Sequence, residues 1–398
     1  MSIDPHDPAP AAETAPGAHP TPDADAARLI EALADPVELT ARLCDIPSVS
    51  GDEARLADAV AGVLAHISAG PGPDLDIHRD GDTVVAATRL GRGERIVIAG
   101  HLDTVPIEDN VPAERRTLDG AEVIWGRGAC DMKAGVAMQL CTAAALRSPE
   151  RDVTWIFYDH EEVEAELNGL GRVARNHPER LAGDFAILGE PSNAGIEGGC
   201  NGTIRIEVTT EGVRAHSARA FTGVNAIHRA ADILTRLAEH TPDTVTVDGL
   251  EYRESLSAVG IHGGVAGNVI PDACTVVVNY RFAPDKSAAD AEAHLAAFFA
   301  PHPIRVTDSA EGARPGLDQP AARAFIDAIG GEPQAKLGWT DVARFSALGI
   351  PAVNFGPGSP LFAHKADEHV PCAEVESASA DLLRFLEPAR SAPEAPAR

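Results

Sequence analysis

The 398-residue chain is poor in cations, has no closely paired cysteines and contains no long apolar run. Only four residues are lysine, and 33 lysines and arginines face 60 acids, a formal net charge of -27 at pH 7. Such a balance repels nucleic acid and anionic membranes, which excludes both as expected partners. No apolar stretch reaches the roughly 18 residues of a transmembrane helix. The six cysteines (Cys44, Cys130, Cys141, Cys200, Cys274 and Cys372) lie far apart with no C-x-x-C pair. That spacing argues against a disulfide framework and a thiolate zinc site, and it suits a reducing cytoplasm. Residues 1–25, "MSIDPHDPAPAAETAPGAHPTPDAD", lack the basic and apolar regions of a secretory signal. They read as a disordered N-terminal arm, and residues 391–398 as a flexible tail.

What is present is an alternation of strand and helix. Residues 36–46 and 52–67 pattern as amphipathic helices flanking "IPSVSG", with Leu56, Val60 and Val63 at helical spacing. "DTVVAAT" and "RIVIAG" read as strands, and "GACDMKAGVAMQLCTAAALR" as a loop opening into a buried Ala-rich helix. "DVTWIFYDHEE" and "FAILGEP" read as strands with acidic exits. This is the signature of an α/β domain with a largely parallel sheet. Near Gly195 the texture changes: "GTIRIEVTTEG" puts Ile204, Ile206 and Val208 on one face of a half-exposed strand. A helix near 223–239, strands near 256–262 and 274–282, a helix near 287–299 and "HPIRVTD" complete a ferredoxin-like pattern. The expected organisation is a discontinuous catalytic domain over 26–195 and 310–390, split by an α+β domain over 196–309.

In the α/β part, apolar strands repeatedly end in an acid or a histidine. His101 and Asp103 follow "IVIAG", Glu161 and Glu162 follow "VTWIFYD", and Glu190 follows "FAILG"; Asp131 lies in the Gly-flanked loop "GRGACDMKAG". Open α/β sheets bind ligands outside the carboxyl ends of their strands. Any one of these acids alone reads as a solvated loop residue. As a rim they converge on one place, and converging carboxylates need a counter-charge. Arg127 and Lys133 are the nearest cations, so one or two metal ions resolve the conflict better. Histidine with Asp and Glu, and no thiolate, suits zinc or a similar borderline ion in a catalytic site. His160 and His369 read as hydrogen-bonding or surface residues. No P-loop or convincing dinucleotide motif follows a strand.

"GHLDTVP", "WGRGACDMKAG", "YDHEEV", "LGEP" and "AHKADEHV", in that order, resemble the dinuclear zinc aminoacylase/carboxypeptidase family over roughly residues 36–388. The resemblance implies a zinc-dependent exopeptidase-like catalytic domain carrying an inserted ferredoxin-like lid and dimerisation domain. It implies two Zn2+ ions, with Co2+ as a substitute, bridged by Asp131. His101 and Glu190 would hold one ion, and Glu162 and His364 the other. Glu161 would be the general base, and Asp103 would accept the other N–H of His101, fixing its tautomer. His216, in "VRAHSAR", would come from the partner subunit of a homodimer to stabilise the oxyanion. Asn268 and Arg281 would contact the substrate carbonyl and carboxylate, Arg281 through its planar fork.

"KLGWTDVARF" and the segment after it resemble the family's actinobacterial desuccinylase branch, with Gly338, Thr340 and Arg281 toward the succinyl group. Trp339 departs from the smaller residues many branch members carry there. The expected reaction is hydrolysis of an anionic small molecule, N-succinyl-LL-2,6-diaminopimelate, for lysine and cell-wall precursor synthesis. An acetylornithine-type deacetylase or an aminoacylase/carboxypeptidase on the same core is the first rival. A non-catalytic binding homologue is the remote one. The net charge opposes long-range attraction of any such anion, so local cations must supply it.

Overall fold

A computed structural model describes residues 22–387, so most of the expected arm and all of the tail at 391–398 lie outside the described residues. Helix α1 (Pro22–Glu31) begins within the stretch read as arm. Its Asp25 is fully buried and pairs with Arg55 through Nε at 2.6 Å and Nη2 at 3.1 Å. A lone acid in a Pro-rich run gives no hint of that partner 30 residues away, so the ordered chain starts earlier than composition suggests. Helix α2 (Pro36–Cys44) starts where Asp35 accepts the Val37 and Glu38 N–H groups, with Pro36 pre-set for the first turn. In α3 (Ala54–Ser68), Leu56, Val60, Val63, Leu64 and Ile67 form the buried stripe.

Strands β1 (Leu75–Asp80), β2 (Thr83–Thr88) and β3 (Arg95–His101) follow. A hairpin of β4 (Glu114–Leu118) and β5 (Ala121–Trp125) was not foreseen, because β4 is charged and largely exposed and β5 buries only Val123 and Ile124. Helix α4 (Ala134–Ala145), strand β6 (Asp152–Tyr158), helix α5 (Gly169–Asn176) and strands β7 (Phe185–Leu188) and β8 (Glu197–Gly198) complete this stretch.

The chain then builds a second sheet from β9 (Gly202–Glu211), with the short β10 (Ala215–His216) after it. The single helix expected near 223–239 is two pieces, α6 (Ala226–Arg229) and α7 (Ala231–Glu239). A small hairpin of β11 (Thr244–Val247) and β12 (Leu250–Arg253) precedes β13 (Ser255–Gly263), β14 (Val269–Ile270) and β15 (Ala273–Phe282). Helix α8 (Ala288–Phe299), opened by a Ser287–Asp290 capping box, leads to β16 (Ile304–Ala310). The order β13-β15-β9-β16, antiparallel throughout, is the ferredoxin-like one. Ile204, Ile206 and Val208 pack with Val276, Val278 and the helices in its core, as the alternation requires.

Helix α9 (Pro320–Ile329), β17 (Gln334–Ala335), α10 (Val342–Ala347), β18 (Ala352–Asn354), β19 (His369–Pro371) and α11 (Cys372–Leu386) return to the first layer. The large sheet has the order β1-β2-β6-β3-β7-β18-β8-β17. Its centre, β6-β3-β7-β18, is parallel, while β1, β2 and β8 run antiparallel to their inner neighbours. Both faces are covered: Ile96 and Ile98 enter the core under α3, α4, α9 and α11, whereas Val97 and Ala99 enter the one under α5 and α10. From β3 the chain crosses to β6 on one side and returns to β7 on the other. The crevice between the carboxyl ends of β3 and β7 is therefore a topological switch point, where α/β sheets bind ligands.

Candidate metal centre

His101 is the last residue of β3 and is 1% exposed. Glu190 lies just past β7, 5% exposed, on a stretch pinned from two sides. A Cβ on Gly135 of α4 would lie 2.0 Å from the Gly189 carbonyl oxygen, and one on Gly356 would lie 2.3 Å from it. Only glycine permits either approach. Asp131 sits in the irregular turn before α4, whose Cys130 and Asp131 N–H groups donate to buried Glu368 at 3.2 and 3.1 Å. Glu161 and Glu162 leave β6, and His364 arrives from the loop before β19 in a left-handed conformation, φ 64°.

These side chains assemble into two donor triads. Ligand atoms of His101, Asp131 and Glu190 lie within 4.8 Å of one another, as do those of Asp131, Glu162 and His364. Asp131 belongs to both: its Oδ1 is 3.2 Å from His101 Nε2, and its Oδ2 is 3.3 Å from His364 Nε2. His364 Nε2 is also 3.0 Å from Glu162. Glu161 falls within a third grouping with His101 and Glu162.

The electrostatics show an excess of negative charge. Burial opposes a proton on His101, yet Asp103 and Asp131 outweigh it and raise the imidazole well above its ordinary range. Hydrogen bonds that His364 donates to Asp131 and Glu162 lift its imidazole to about 10. Burial, then the Asp131 charge, push Glu190 up to about 7. Burial drives Glu161 well above the carboxylate range; His101 pulls it down, while Glu190, Asp341 and Glu162 push it further up. Among the described residues, no Arg or Lys forms an ion pair with Asp131, Glu161, Glu162 or Glu190. Arg127, a candidate counter-charge, pairs instead with Glu368 at 2.9 Å. Lys133 donates to the Leu43 and Ile46 carbonyls, and burial draws it down to about 8. One Glu190 carboxylate oxygen is buried with no hydrogen-bond partner. Two imidazoles, three carboxylates, an orphaned acceptor and no thiolate make a donor set that fits two divalent cations.

The role expected of Asp103 changes in detail. His101 Nδ1 is 2.9 Å from the Asp103 backbone oxygen and 3.5 Å from its carboxylate, so the main chain is the closer partner. The Asp103 carboxylate instead accepts the Glu161 and Glu162 N–H groups, both at 3.0 Å, and the Ser50 hydroxyl at 2.7 Å. Burial opposes its charge, but His101 and these N–H groups bring it down to about 2. Sequence reading missed Glu368, which stood inside the quoted "AHKADEHV" with its acidity as the only signal.

The remaining expected site residues lie elsewhere. His216 on β10 pairs in register with Val269, which places it beside Asn268; both are exposed. The Asn268 carbonyl accepts the Ser217 N–H at 2.9 Å. Half-buried Arg281 is on β15, away from the helix-covered face, with Arg205 close enough to lower its pKa after burial has done so. Among the described residues, no hydrogen bond or ion pair joins these three to the triads. Gly338 is exposed, whereas Thr340 is buried and gives its hydroxyl proton to Asn354 at 2.9 Å. The Trp339 indole donates to the Glu311 carbonyl at 3.0 Å and packs against the core beneath α5 and α10.

A mostly parallel sheet with paired His/carboxylate triads at its switch point, accompanied by a ferredoxin-like second sheet, is the arrangement of a metal-dependent hydrolase with an exopeptidase-like fold. The chain belongs to peptidase family M20/M25/M40, whose model matches residues 97–387. A succinyl-diaminopimelate desuccinylase of Corynebacterium glutamicum is 44% identical over 366 residues, covering 90% of this chain and 97% of the relative. A Mycobacterium tuberculosis protein provisionally named for the same activity is 50% identical over 358 residues, covering 89% and 99%. Among solved structures, a Staphylococcus aureus tripeptidase aligns with TM-score 0.70 at 19% identity, covering 91% of this chain and 97% of that one. The Bacillus subtilis YXEP protein, described as a dinuclear metal-binding peptidase of the M20 family, aligns with TM-score 0.63 at 19% identity, covering 91% and 98%.

Proposed function

We propose that the chain hydrolyses N-succinyl-LL-2,6-diaminopimelate to succinate and LL-2,6-diaminopimelate, serving lysine and diaminopimelate synthesis in the cytoplasm. The observation that carries this reading is the pair of triads sharing Asp131, with Glu161 beside them. The near full-length likeness to a desuccinylase supports the choice of acyl group. Two Zn2+ ions, with Co2+ as a substitute, would be held at this site, one by His101, Asp131 and Glu190 and the other by Asp131, Glu162 and His364. When bound, such a pair acidifies water and polarises the scissile carbonyl.

The protein's own groups do the rest. Glu161 accepts the proton of the attacking water as its oxygen bonds to the succinyl carbonyl carbon. It then delivers that proton to the amine nitrogen as the C–N bond breaks. Burial favours the protonated form of this carboxyl. Asp103 holds both glutamates in place through their backbone.

The two sheets support a division close to the expected one, a catalytic unit over 26–195 and 310–390 and a lid and dimerisation unit over 196–309, with the first boundary moved past β8 (Glu197–Gly198), which pairs in the large sheet. His216 acts across a homodimer. The Ala218 N–H donates to its Nδ1 at 3.1 Å, which leaves the proton on Nε2, free to be donated to an oxyanion. His216→Ala should leave metal content unchanged and lower kcat by about 100-fold. Full turnover by a strictly monomeric form would refute the arrangement in trans. Asn268 and Arg281 meet the substrate carbonyl and carboxylate, and Gly338 lies by the succinyl group. Thr340, its hydroxyl proton committed to Asn354, contributes there by shape.

Purified enzyme loaded with zinc should hydrolyse N-succinyl-LL-2,6-diaminopimelate with a kcat/KM at least about 100-fold above that for N-acetylornithine or N-acyl amino acids. A site that pairs with a second carboxylate rejects analogues lacking it by at least that factor. A preference for acetylornithine would replace this reading with the deacetylase one.

A further inference from the structure

The loop between α2 and α3, "SVSGDE", is bound to the exits of two different strands. Ser48 Oγ donates to the Leu102 carbonyl at 2.7 Å, and Ser50 donates its N–H to the Thr104 carbonyl and its hydroxyl to Asp103 beyond β3. Glu53 extends this attachment to β6. It occupies the position before α3, where acids commonly cap a helix, yet its side chain makes no capping bond. Fully buried, its carboxylate accepts the Gly51 N–H at 2.9 Å and the His160 N–H at 3.2 Å.

The His160 contact completes a series. Asp103 accepts the next two backbone N–H groups, those of Glu161 and Glu162. Three consecutive N–H groups thus terminate on two fully buried carboxylates. His160 itself is left-handed, φ 57°, a conformation a non-glycine residue keeps only when its surroundings impose it. Without Glu53, the turn entering Glu161 loses the bond at its first residue. The imidazole of His160, 3.4 Å from Glu53, keeps its contact with the Asp159 carboxylate at 2.8 Å, and the backbone on the Glu161 side keeps Asp103, bonded one and two residues later.

We propose that Glu53 is a positioning residue for the general base: by holding the 160 backbone it sets the direction of the Glu161 carboxylate, without touching substrate or metal. The proposal rests on Glu161 as the base. A base displaced by about 1 Å loses up to roughly 100-fold in rate, whereas binding of substrate through other groups persists. Glu53→Gln preserves shape but offers one acceptor oxygen where two N–H groups need separate ones.

Wild type, Glu53→Gln, Glu53→Asp and the exposed control Asp52→Asn would be compared as zinc-loaded enzymes. For Glu53→Gln, kcat should fall roughly 10- to 100-fold with KM within about twofold and metal content unchanged. Amide hydrogen exchange at residues 160–162 should accelerate while exchange in β3 and β6 does not. Glu53→Asp, which keeps the charge but shortens the reach, should show the same pattern at smaller amplitude, and it carries the test should the amide variant not fold. Asp52→Asn should match wild type. Added to Glu161→Gln, the Glu53 change should cost no further rate, because its effect runs through that base. Unchanged kcat, loss of metal in step with loss of rate, or additivity with Glu161→Gln would overturn the proposal. The exchange readout needs no turnover, so inert wild type would sink the functional reading and leave the exchange result to judge Glu53.

Discussion

Glu161→Gln is expected to retain its metal ions and to lose about three orders of magnitude in kcat, the middle of the range for a general base. The two side chains are nearly equal in size, and the Glu161 N–H that donates to Asp103 at 3.0 Å is untouched. Neither triad containing Asp131 uses Glu161, so His101, Glu190, Glu162 and His364 remain in place. What disappears is the ability to take and return a proton. KM should change little, since substrate binding draws on other groups. The measurement is elemental analysis of the purified variant beside its steady-state kinetics. Near-normal turnover at full metal content would assign the base elsewhere.

Asp131→Ala should have the larger effect: both metal ions lost together, and hydrolysis with them. Asp131 is the one residue common to the two triads, whereas Glu190→Ala or His364→Ala removes a donor from a single triad. Metal stoichiometry therefore separates the cases, near zero for Asp131→Ala and near one for His364→Ala. The fold should survive. Asp131 repels Glu190 but also bonds the His101 and His364 imidazoles at 3.2 and 3.3 Å, so its removal takes away opposing contributions. Metal-free Asp131→Ala should still melt in a single cooperative transition by calorimetry. Two ions retained in the variant would refute the bridging assignment.

The parallel strands were legible because burial on both faces leaves continuous apolar runs. "RIVIAG" and "FAILG" can be little else between polar flanks. Ile204, Ile206 and Val208 were legible for the opposite reason: one buried face imposes alternation. The triad residues stood out because each acid or histidine follows a strand directly. The hairpin β4–β5 did not, since its partner β19 is contributed by residues 369–371, and cross-strand pairing at such separation leaves no local pattern. Glu53, Glu368 and Asp25 escaped notice for a shared reason. Each is a single acid whose burial is decided by backbone N–H groups or an arginine far along the chain. The backbone contact of His101 with Asp103 was likewise hidden, because side-chain chemistry alone does not reveal which oxygen a loop presents.

Glu368 links residues far apart in the order of synthesis. It secures Cys130, Asp131 and Arg127 across as many as 241 positions, and His364 reaches Glu162 across 202. A growing polypeptide that has formed β3, β6 and β7 on the ribosome holds His101, Glu162 and Glu190 but lacks the anchor for the Asp131 turn and the final imidazole. The second triad is therefore completed only when residues 364 and 368 have emerged, near the end of synthesis.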